Sequence, residues 1–475
     1  MTVAARHQTS QVAGDAAVED ERRVAAIPVG GAADDAAVRR GLAEMRQDAA
    51  LPAGRGWGQG WIGLVLWVGL VVAAVLAGGA VRADPDAHIG AAPFVGTLSA
   101  VVGWRLLPAL LLAVAALVAV PHLAVRLKWR ALLAVSGAGT LSWSVALAWS
   151  DGARSITAPL ATRYEYLAAV PAVRSPGAFL RGFVEALPTY PTHVKSHPPG
   201  MVLVLWTLDR LGLGGAGPAT VVVLIGGALA GVAALVALRE LAGEAAARRA
   251  APFVAMTPAA VFVATSSDAL FAGVSAWGIA LVVLATGRTG RRSIALALGG
   301  GLLLGTTLFM SYGLALLLAV PAATCAYRRR ADVATVAAVA IAAVTLAFAA
   351  GGFWWLDGLT AARAAYARGA STIRPYGYFL LANLAAFAVI VGPAAASALG
   401  RLRDRRVWLL AGATLVAIVL ADTSGLSKGE VERIWLPFAP WVVVACCAVT
   451  TRSRPWLAAN LGTAVTLQVL LRSPW

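Results

Sequence analysis

Charged residues are scarce in this chain. Asp, Glu, Lys and Arg make up 13% of its 475 residues, whereas 59% are hydrophobic. A soluble domain carries roughly 25% charged and about 45–50% apolar residues, and the mean hydropathy here is +0.76. The composition therefore excludes an ordinary soluble domain and indicates that lipid surrounds most of the chain.

Cysteine is also rare. The three cysteines, Cys325, Cys446 and Cys447, fall inside or at the ends of apolar segments. This placement argues against a disulfide framework and against a cysteine-rich metal site. The chain also lacks a Walker-type phosphate loop, a dinucleotide glycine motif after a strand, and a His-Glu-x-x-His zinc helix. Intramembrane charges spaced as a proton relay are missing too, which argues against an ion-coupled transporter.

The apolar residues form a series of long runs. Most have about 17 to 21 residues, the length needed to cross a hydrocarbon core of roughly 30 Å. The sequence predicts an all-α polytopic membrane protein with about 13 transmembrane helices. They cover residues 61–80, 104–121, 131–149, 218–238, 252–266, 269–286, 294–309, 311–326, 333–350, 377–399, 407–423, 433–450 and 456–472.

The net charge of +16 is concentrated in short connections between these runs. Because short cytoplasmic loops are enriched in Lys and Arg, the basic connections are predicted to be cytoplasmic. Because the positive charge is divided among several short connections, it gives no reason to expect a nucleic-acid partner. The basic connections are 126–130, 239–249, 288–292, 328–330, 401–406 and 452–454.

The segment 199–214 is apolar enough to be a span, but loop parity argues against it. Counting it would move the basic loop 239–249 outside and reverse the side of every later loop. The pair Asp209-Arg210 would also be costly in mid-bilayer. We therefore interpret 199–214 as interfacial or re-entrant, within a long non-cytoplasmic loop at 150–217.

The same reasoning divides the chain into four parts. Residues 1–56 are rich in Ala, Arg, Asp and Gly, lack signal-peptide features, and are predicted to form a disordered cytoplasmic tail. Two additional N-terminal transmembrane helices follow at 57–130, then a transmembrane module at 131–450. A C-terminal transmembrane helix occupies 451–475.

Asp151 follows a predicted span directly and opens the long loop. A carboxylate fixed at a helix end and partly shielded from water is a good general base, because burial raises its pKa toward neutrality. The alternative is a solvated acid at a helix end, or an N-cap of the next segment.

The long loop ends with His193, Lys195 and His197, the last followed by Pro198-Pro199-Gly200. Each proline fixes φ and restricts the residue before it, so the entry into the next helix is stiff. Such an entry would hold His197 at the membrane surface, where it could bind a phosphate or a hydroxyl. The alternative is a helix start with prolines in its first turn.

Other polar residues fall in the remaining non-cytoplasmic loops. Asp268 lies in a tight turn between two apolar runs, where it either faces a cavity or caps the next helix. Arg433 lies at the mouth of a span, where a guanidinium suits phosphate oxygens, and Glu432 beside it could neutralise it. Arg374-Pro375-Tyr376 is typical of interface anchoring. Tyr312 and Arg374 complete the candidates for substrate or lipid-phosphate binding.

Four of these features, in this order, resemble the GT-C superfamily of membrane glycosyltransferases, especially its protein O-mannosyltransferase and aminoarabinose transferase branch. Asp151 matches the acid that opens the family's first large outer loop, and Asp268 in Ser-Ser-Asp-Ala-Leu-Phe matches the acid of the next outer turn. The family's His/Thr-Pro-Pro element and its late Arg correspond to His197-Pro198-Pro199 and Arg433-Ile-Trp-Leu-Pro437. Gly152 stands where the family has a second acid, so either Asp151 acts alone or Glu165 completes the site.

The resemblance covers roughly residues 131–450 and implies a GT-C-like fold whose long loop carries interfacial helices. It implies sugar transfer from a polyprenyl-phosphate donor to a cell-envelope glycan, lipid or protein acceptor, on the outer face of the cytoplasmic (inner) membrane. Asp151 and Asp268 would be catalytic. Asp151 would deprotonate the acceptor, while Arg433 with Lys195 or His197 would stabilise the departing lipid phosphate. Glu165, His193, Tyr312 and Arg374 would contribute to binding.

Three further points stay open at the level of sequence. No cofactor is certain, although Asp151 and Asp268 could share a divalent cation. A transporter or flippase of a lipid-linked envelope precursor would share the spans and the phosphate-binding cations but would need no base. A membrane scaffold without any ligand is the third reading.

Overall fold

Helices form nearly all of the regular structure in the computed structural model, which describes residues 56–81, 89–264, 266–369, 372–449 and 453–473. The predicted tail lies outside these ranges up to residue 55. The all-α prediction is confirmed. The elements are α1 (Gly56–Val81), β1 (Thr97–Leu98), α2 (Leu107–Arg126), α3 (Trp129–Trp149), α4 (Pro176–Ala186), α5 (Thr192–Lys195), α6 (Gly200–Arg210), α7 (Ala216–Ala242), α8 (Glu244–Ala255), α9 (Asp268–Thr286), α10 (Gly290–Leu308), α11 (Ala319–Tyr327), α12 (Ala331–Ala350), α13 (Trp355–Ala367), α14 (Tyr376–Arg401), α15 (Arg405–Thr423), α16 (Val431–Ile434), α17 (Ala439–Val443), α18 (Ser453–Leu470) and β2 (Leu471–Arg472).

Within the described ranges, nine helical segments are long and apolar enough to cross a membrane. Each coincides with a predicted span. The predicted spans 252–266, 294–309, 311–326 and 456–472 are largely helical but shorter, broken or more polar, so the total of about 13 stays a prediction. The nine segments are Gly60–Val81, Trp104–Arg126, Trp129–Trp149, Ala216–Ala242, Asp268–Thr286, Ala331–Ala350, Tyr376–Arg401, Arg405–Thr423 and Val431–Ala448.

The apolar segment 199–214 contains α6, which has 11 residues. At about 1.5 Å per residue such a helix is about half as long as the hydrocarbon core is thick. Its first residue, Gly200, donates its backbone N–H to the carbonyl of Phe309 at 2.8 Å, just beyond α10. The helix is therefore too short to span and is attached to the end of another helix, in agreement with an interfacial or re-entrant segment.

Two groups of loops lie at opposite ends of the helices. At one end, the basic loops meet: Arg328 bonds Glu240 and the hydroxyl of Thr286 at 3.2 and 3.1 Å, and Arg288 lies 3.2 Å from Glu240. At the other end, residues 150–215 contact Phe309 and α13, and Tyr366 of α13 accepts a hydrogen bond from Lys428 in the loop before α16. We call this second end the loop face.

Helices α7 and α9 pack closely because glycines face each other at their contact. A Cβ built on Gly273 would lie 2.5 Å from the carbonyl oxygen of Gly226, and one on Gly226 would lie 2.6 Å from the Cα of Leu270. Small residues let membrane helices approach to backbone contact. This contact carries Asp268, the first residue of α9, into the loop face.

Substituting Gly273→Val is expected to destabilise the protein, because the nearest neighbour is rigid backbone rather than a flexible side chain. Overpacking of this kind costs about 1–3 kcal/mol. The effect is measured as the melting temperature of the detergent-purified variant, determined by size-exclusion chromatography after heating. Gly69→Val on α1 is the matched control, since nothing lies within 4 Å of its added Cβ. Equal stability of the two variants would contradict the close contact.

Candidate functional site

The two histidines of the long loop are ordered by backbone contacts. The amide of His193 donates to the carbonyl of Tyr164 at 3.1 Å, and Nδ1 of His197 is bonded to the carbonyl of His193 at 2.8 Å. Because a carbonyl only accepts, Nδ1 of His197 carries a proton. Both side chains are buried and lie against the ring of Tyr166. The Pro-Pro-Gly entry into α6 thus positions His197 inside the loop face.

Asp268 is buried at the start of α9, with 3% of its surface exposed. Its Oδ2 accepts a hydrogen bond from Oγ of Ser266 at 2.5 Å, and its amide donates to the same Oγ at 3.1 Å. The residue at the N-cap is Ser267, and its side chain makes no capping bond. The carboxylate of Asp268 therefore faces the protein interior instead of capping its helix.

The guanidinium of Arg433 joins three distant segments of the chain. Its Nη2 donates to Nε2 of His193 at 2.9 Å and to Oε2 of Glu430 at 2.6 Å. Its Nη1 lies 3.4 Å from Oδ2 of Asp268. A buried, permanently charged guanidinium is stable only when acceptors surround it in this way. We call Glu165, His193, Asp268, Glu430 and Arg433 the buried polar cluster.

His193 stands between a guanidinium and a carboxylate. Since Arg433 only donates, Nε2 of His193 must accept, and the proton of the neutral ring lies on Nδ1. That nitrogen faces Oε1 of Glu165 at 2.7 Å, although not in line for a hydrogen bond. Glu165 is 3% exposed. His193 is therefore a neutral, oriented link between Glu165 and Arg433.

Glu430 is the acid that pairs with Arg433, although it was not among the predicted site residues. The acid suggested for this role from the sequence was Glu432, which directly precedes Arg433. Glu430 adopts a left-handed backbone with φ 63°, and its Oε1 lies 3.3 Å from Arg374. Burial opposes ionisation, but the charges of Arg433 and Arg374 outweigh it and lower the pKa of Glu430. Glu432 is fully buried, and both of its carboxyl oxygens lack a hydrogen-bond partner among the described residues. The i,i+3 spacing from Glu430 to Arg433 was the signal available in the sequence.

Arg374 adjoins the cluster rather than only anchoring a helix at the interface. It is 9% exposed, and its Nη1 donates to the backbone carbonyl of Lys428 at 2.7 Å as well as approaching Glu430. It therefore ties the loop before α16 to the start of α14.

The structure places Asp151 in a different set of contacts. Its Oδ2 accepts from Nε2 of Gln468 at 2.8 Å, and both carboxylate oxygens lie 3.1 Å from Nη1 of Arg472. Arg472 belongs to β2, which pairs antiparallel with β1. Asp151 is thus attached to the end of α18, whereas Asp268 belongs to the buried polar cluster. A role of Asp151 as base stays a prediction.

Lys195 and Tyr312 lie elsewhere on the loop face. Lys195 is the last residue of α5 and is half-buried. The ring of Tyr312 packs edge-on against Trp355 at 5.4 Å between centroids. Their roles in binding a lipid phosphate stay predictions.

A shared divalent cation does not fit these contacts. Among the residues that the structure describes, no three His, Cys, Asp or Glu side chains come together as a metal site. Oδ2 of Asp268 faces the positive charge of Arg433, and Asp151 is paired with Arg472. We derive no step through a metal.

The contribution of His197 to the stability of the protein is expected to fall when the pH drops from 7 to 5. Burial lowers the pKa of His197 from its usual 6.5, aided by Arg433 and opposed by Asp268. The folded state then binds this proton less well than the unfolded chain, so the stabilisation is complete above pH 6.5 and is lost as the pH falls below it. Melting temperatures across this range measure the slope. His197→Asn, which keeps a donor to His193, removes this contribution, so the melting temperature of the variant relative to the wild type should rise as the pH falls.

The matched control for that experiment is His122→Asn, because His122 is exposed. An unchanged slope in His197→Asn, or an equal change in both variants, would contradict a buried neutral His197.

Comparisons with known proteins give two solved structures and no sequence relative. No family model matches the chain, and no curated protein matches it. The Archaeoglobus fulgidus oligosaccharyltransferase, in complex with Zn and sulfate, is 15% identical, with a TM-score of 0.44 over 72% of this chain and 54% of that one. ArnT from Cupriavidus metallidurans, bound to undecaprenyl phosphate, is 16% identical, with a TM-score of 0.38 over 60% of this chain and 59% of that one. The chain thus spans little more than half the length of either.

Proposed function

We propose that this chain is a GT-C-type glycosyltransferase that moves a sugar from a polyprenyl-phosphate donor to an acceptor at the loop face. The observation that supports this most is the convergence of three distant motifs on Arg433. The His193–His197 run, the turn before α9 and the loop before α16 are far apart in sequence, yet their side chains meet at 2.6 to 3.4 Å. A scaffold has no need of such a group, because burying charged side chains costs free energy even when they are paired.

The proposed reaction is a single displacement at the anomeric carbon of the donor sugar. An acceptor hydroxyl oxygen forms the new bond to C1, and the bond from C1 to the phosphate oxygen breaks. The electron pair of that bond leaves with the polyprenyl monophosphate, and the proton of the hydroxyl passes to a carboxylate. Both the proton and the growing phosphate charge therefore need protein groups close to C1.

Asp268 is the carboxylate best placed to take the proton. It is shielded from water and fixed by Ser266, and it lies beside the cation that would meet the leaving phosphate. Arg433 supplies that cation, exchanging one of its acceptors in the cluster for a phosphate oxygen. His193 contacts Arg433 and is itself held by Glu165, so that together they fix the position of the guanidinium. Asp151 is the alternative base, and its pair with Arg472 would have to open first.

The remaining candidate residues have supporting roles in the proposal. His197, Lys195, Tyr312 and Arg374 border the cluster or the same face and would contact the donor phosphate or sugar. The loop face is proposed to be the outer face of the cytoplasmic (inner) membrane, with the N-terminus in the cytoplasm. Apolar helices at the rim would admit the prenyl chain from the lipid phase, and the acceptor would be an envelope glycan, lipid or protein.

Incubation of the purified protein with a panel of polyprenyl-phosphate sugars and membrane extracts tests the proposal. Release of polyprenyl monophosphate together with a glycosylated product would support it. Tight binding of the lipid without cleavage, and its movement across proteoliposome membranes, would favour a flippase instead. The absence of both binding and cleavage across the whole panel would contradict both functions.

A further inference from the structure

A second polar site lies on the loop face beside the buried polar cluster. It is an open pocket of about 560 Å³ between α13 and the loop that precedes α16. Its polar lining is Arg363, Tyr366, Thr372 and Lys428, and small or apolar residues such as Gly425 complete it. We call it the α13 pocket. None of its residues has a role in the proposed reaction.

The α13 pocket has the charge of an anion site. Two of its lining residues, Arg363 and Lys428, are cations, and no Asp or Glu is among its described lining residues. Tyr366 and Thr372 add two hydroxyl groups to the lining, and the hydroxyl of Thr372 already donates to the carbonyl of Gly369 at 3.0 Å. Burial raises the pKa of Tyr366 to about 12, so its hydroxyl keeps its proton at neutral pH. Cations with neutral hydroxyl donors suit phosphate or carboxylate oxygens.

The backbone of Lys428 connects the pocket to the cluster. Its N–H donates to the hydroxyl of Tyr366 at 2.9 Å, and its carbonyl accepts from Arg374 at 2.7 Å. The same nitrogen of Arg374 lies 3.3 Å from Glu430, which in turn holds Arg433. A ligand in the pocket would therefore sit on the loop that positions Arg433.

The pocket differs from the cluster in its exposure to water. Arg363 and Thr372 are exposed, whereas Arg433 and Asp268 are 4% and 3% exposed. The phosphate of a lipid donor has to reach Arg433 if the proposed reaction occurs there. A second, water-facing cationic pocket then suits the other substrate.

We infer that the α13 pocket binds a phosphate or carboxylate group of the acceptor, which makes the acceptor an anionic molecule. The identity of the bound molecule as the acceptor rests on the proposed function, whereas the binding of an anion in the pocket does not. Arg363 and Lys428 contact the anion, and Tyr366 donates a hydrogen bond to it. The bound group holds the acceptor within reach of the buried polar cluster.

The test uses the full-length protein in nanodiscs of phosphatidylcholine, with glucose 6-phosphate as the probe and glucose as its neutral counterpart. Calorimetric titration should detect glucose 6-phosphate and not glucose. The double variant Arg363→Gln/Lys428→Gln should weaken binding by about 10-fold or more, since each charge-assisted contact is worth on the order of one kcal/mol or more and about 1.4 kcal/mol is tenfold. Arg368→Gln, an exposed arginine just beyond α13 that does not line the pocket, should leave binding unchanged.

Three outcomes would overturn the inference. Equal binding by the wild type and the double variant would show that the anion goes elsewhere. Equal weakening by Arg368→Gln would indicate general charge attraction only. If phosphatidylglycerol in the nanodisc displaces the probe and its headgroup accounts for all binding, then the pocket serves membrane lipid.

The experiments distinguish a failure of this inference from a failure of the proposed function. Probe binding that depends on Arg363 and Lys428, in a protein that transfers no sugar, retains the anion site and contradicts the transferase. Sugar transfer with a KM for a phosphorylated acceptor that is equal in the wild type and the double variant retains the transferase and contradicts the inference. A KM that rises in the double variant, with the KM for the lipid donor unchanged, supports both.

Discussion

Asp268→Asn is expected to abolish sugar transfer while leaving the protein folded and able to bind its lipid donor. The amide keeps the size of the side chain and can still accept from Ser266, but it cannot take a proton from the acceptor. Loss of a general base typically costs about 10²–10⁴ in rate. The measurement is kcat, from the release of polyprenyl monophosphate, with donor binding determined separately.

The matched control is Asp357→Asn, which removes an exposed acid on α13 at the same face. This variant should transfer sugar at the wild-type rate. Asp151→Asn completes the comparison, because it removes the alternative base and its pair with Arg472. If Asp151→Asn abolishes transfer and Asp268→Asn does not, the base is Asp151 and the cluster serves only to bind the donor.

The membrane-helical fold could be predicted because it follows from local properties. Long apolar runs and basic loops depend on composition within a short window, and lipid leaves few alternatives to a helix. The predicted span 252–266 shows the limit of such reasoning. There α8 ends at Ala255 and a 3-10 turn begins at Pro258, because proline cannot continue the backbone ladder. Hydropathy does not register that break.

That the segments of Asp268, His193 and Arg433 lie at one end of the helices was also predictable, because it follows from loop parity. The partner of Asp151 was not. Its position depends on where the last residues of the chain return, and β2 brings Arg472 beside it through pairing with residues far away in sequence. No local pattern encodes that contact.

The choice between Glu430 and Glu432 was beyond the sequence for a related reason. Two acids flank Arg433 within three positions, and the direction of each side chain depends on the backbone between them. Glu430 adopts a left-handed conformation after Gly429, which turns its carboxylate toward Arg433. A non-glycine residue rarely adopts this conformation, so the i,i+3 spacing alone could not decide between the two acids.

Arg433→Gln is expected to impair both stability and transfer, and the two effects can be separated. Removing the cation leaves Asp268 without its charged partner and Glu430 with Arg374 alone, which costs about 3–5 kcal/mol. Adding Glu430→Gln to this variant removes one of the two acids that faced Arg433 and should restore much of the melting temperature. Sugar transfer should stay at least about 10²-fold below wild type in the double variant, because the leaving phosphate still lacks its counter-charge.

Arg433→Lys separates charge from geometry. The ammonium keeps the positive charge but cannot reach His193, Asp268 and Glu430 with a rigid fork of donors. We expect a smaller loss of stability than in Arg433→Gln, together with a lower kcat. Wild-type transfer by the stable double variant Arg433→Gln/Glu430→Gln would mean that Arg433 only holds buried acids together. In that case the leaving phosphate must be met by another cation of the loop face, and Lys195 and Arg374 are the residues to substitute next.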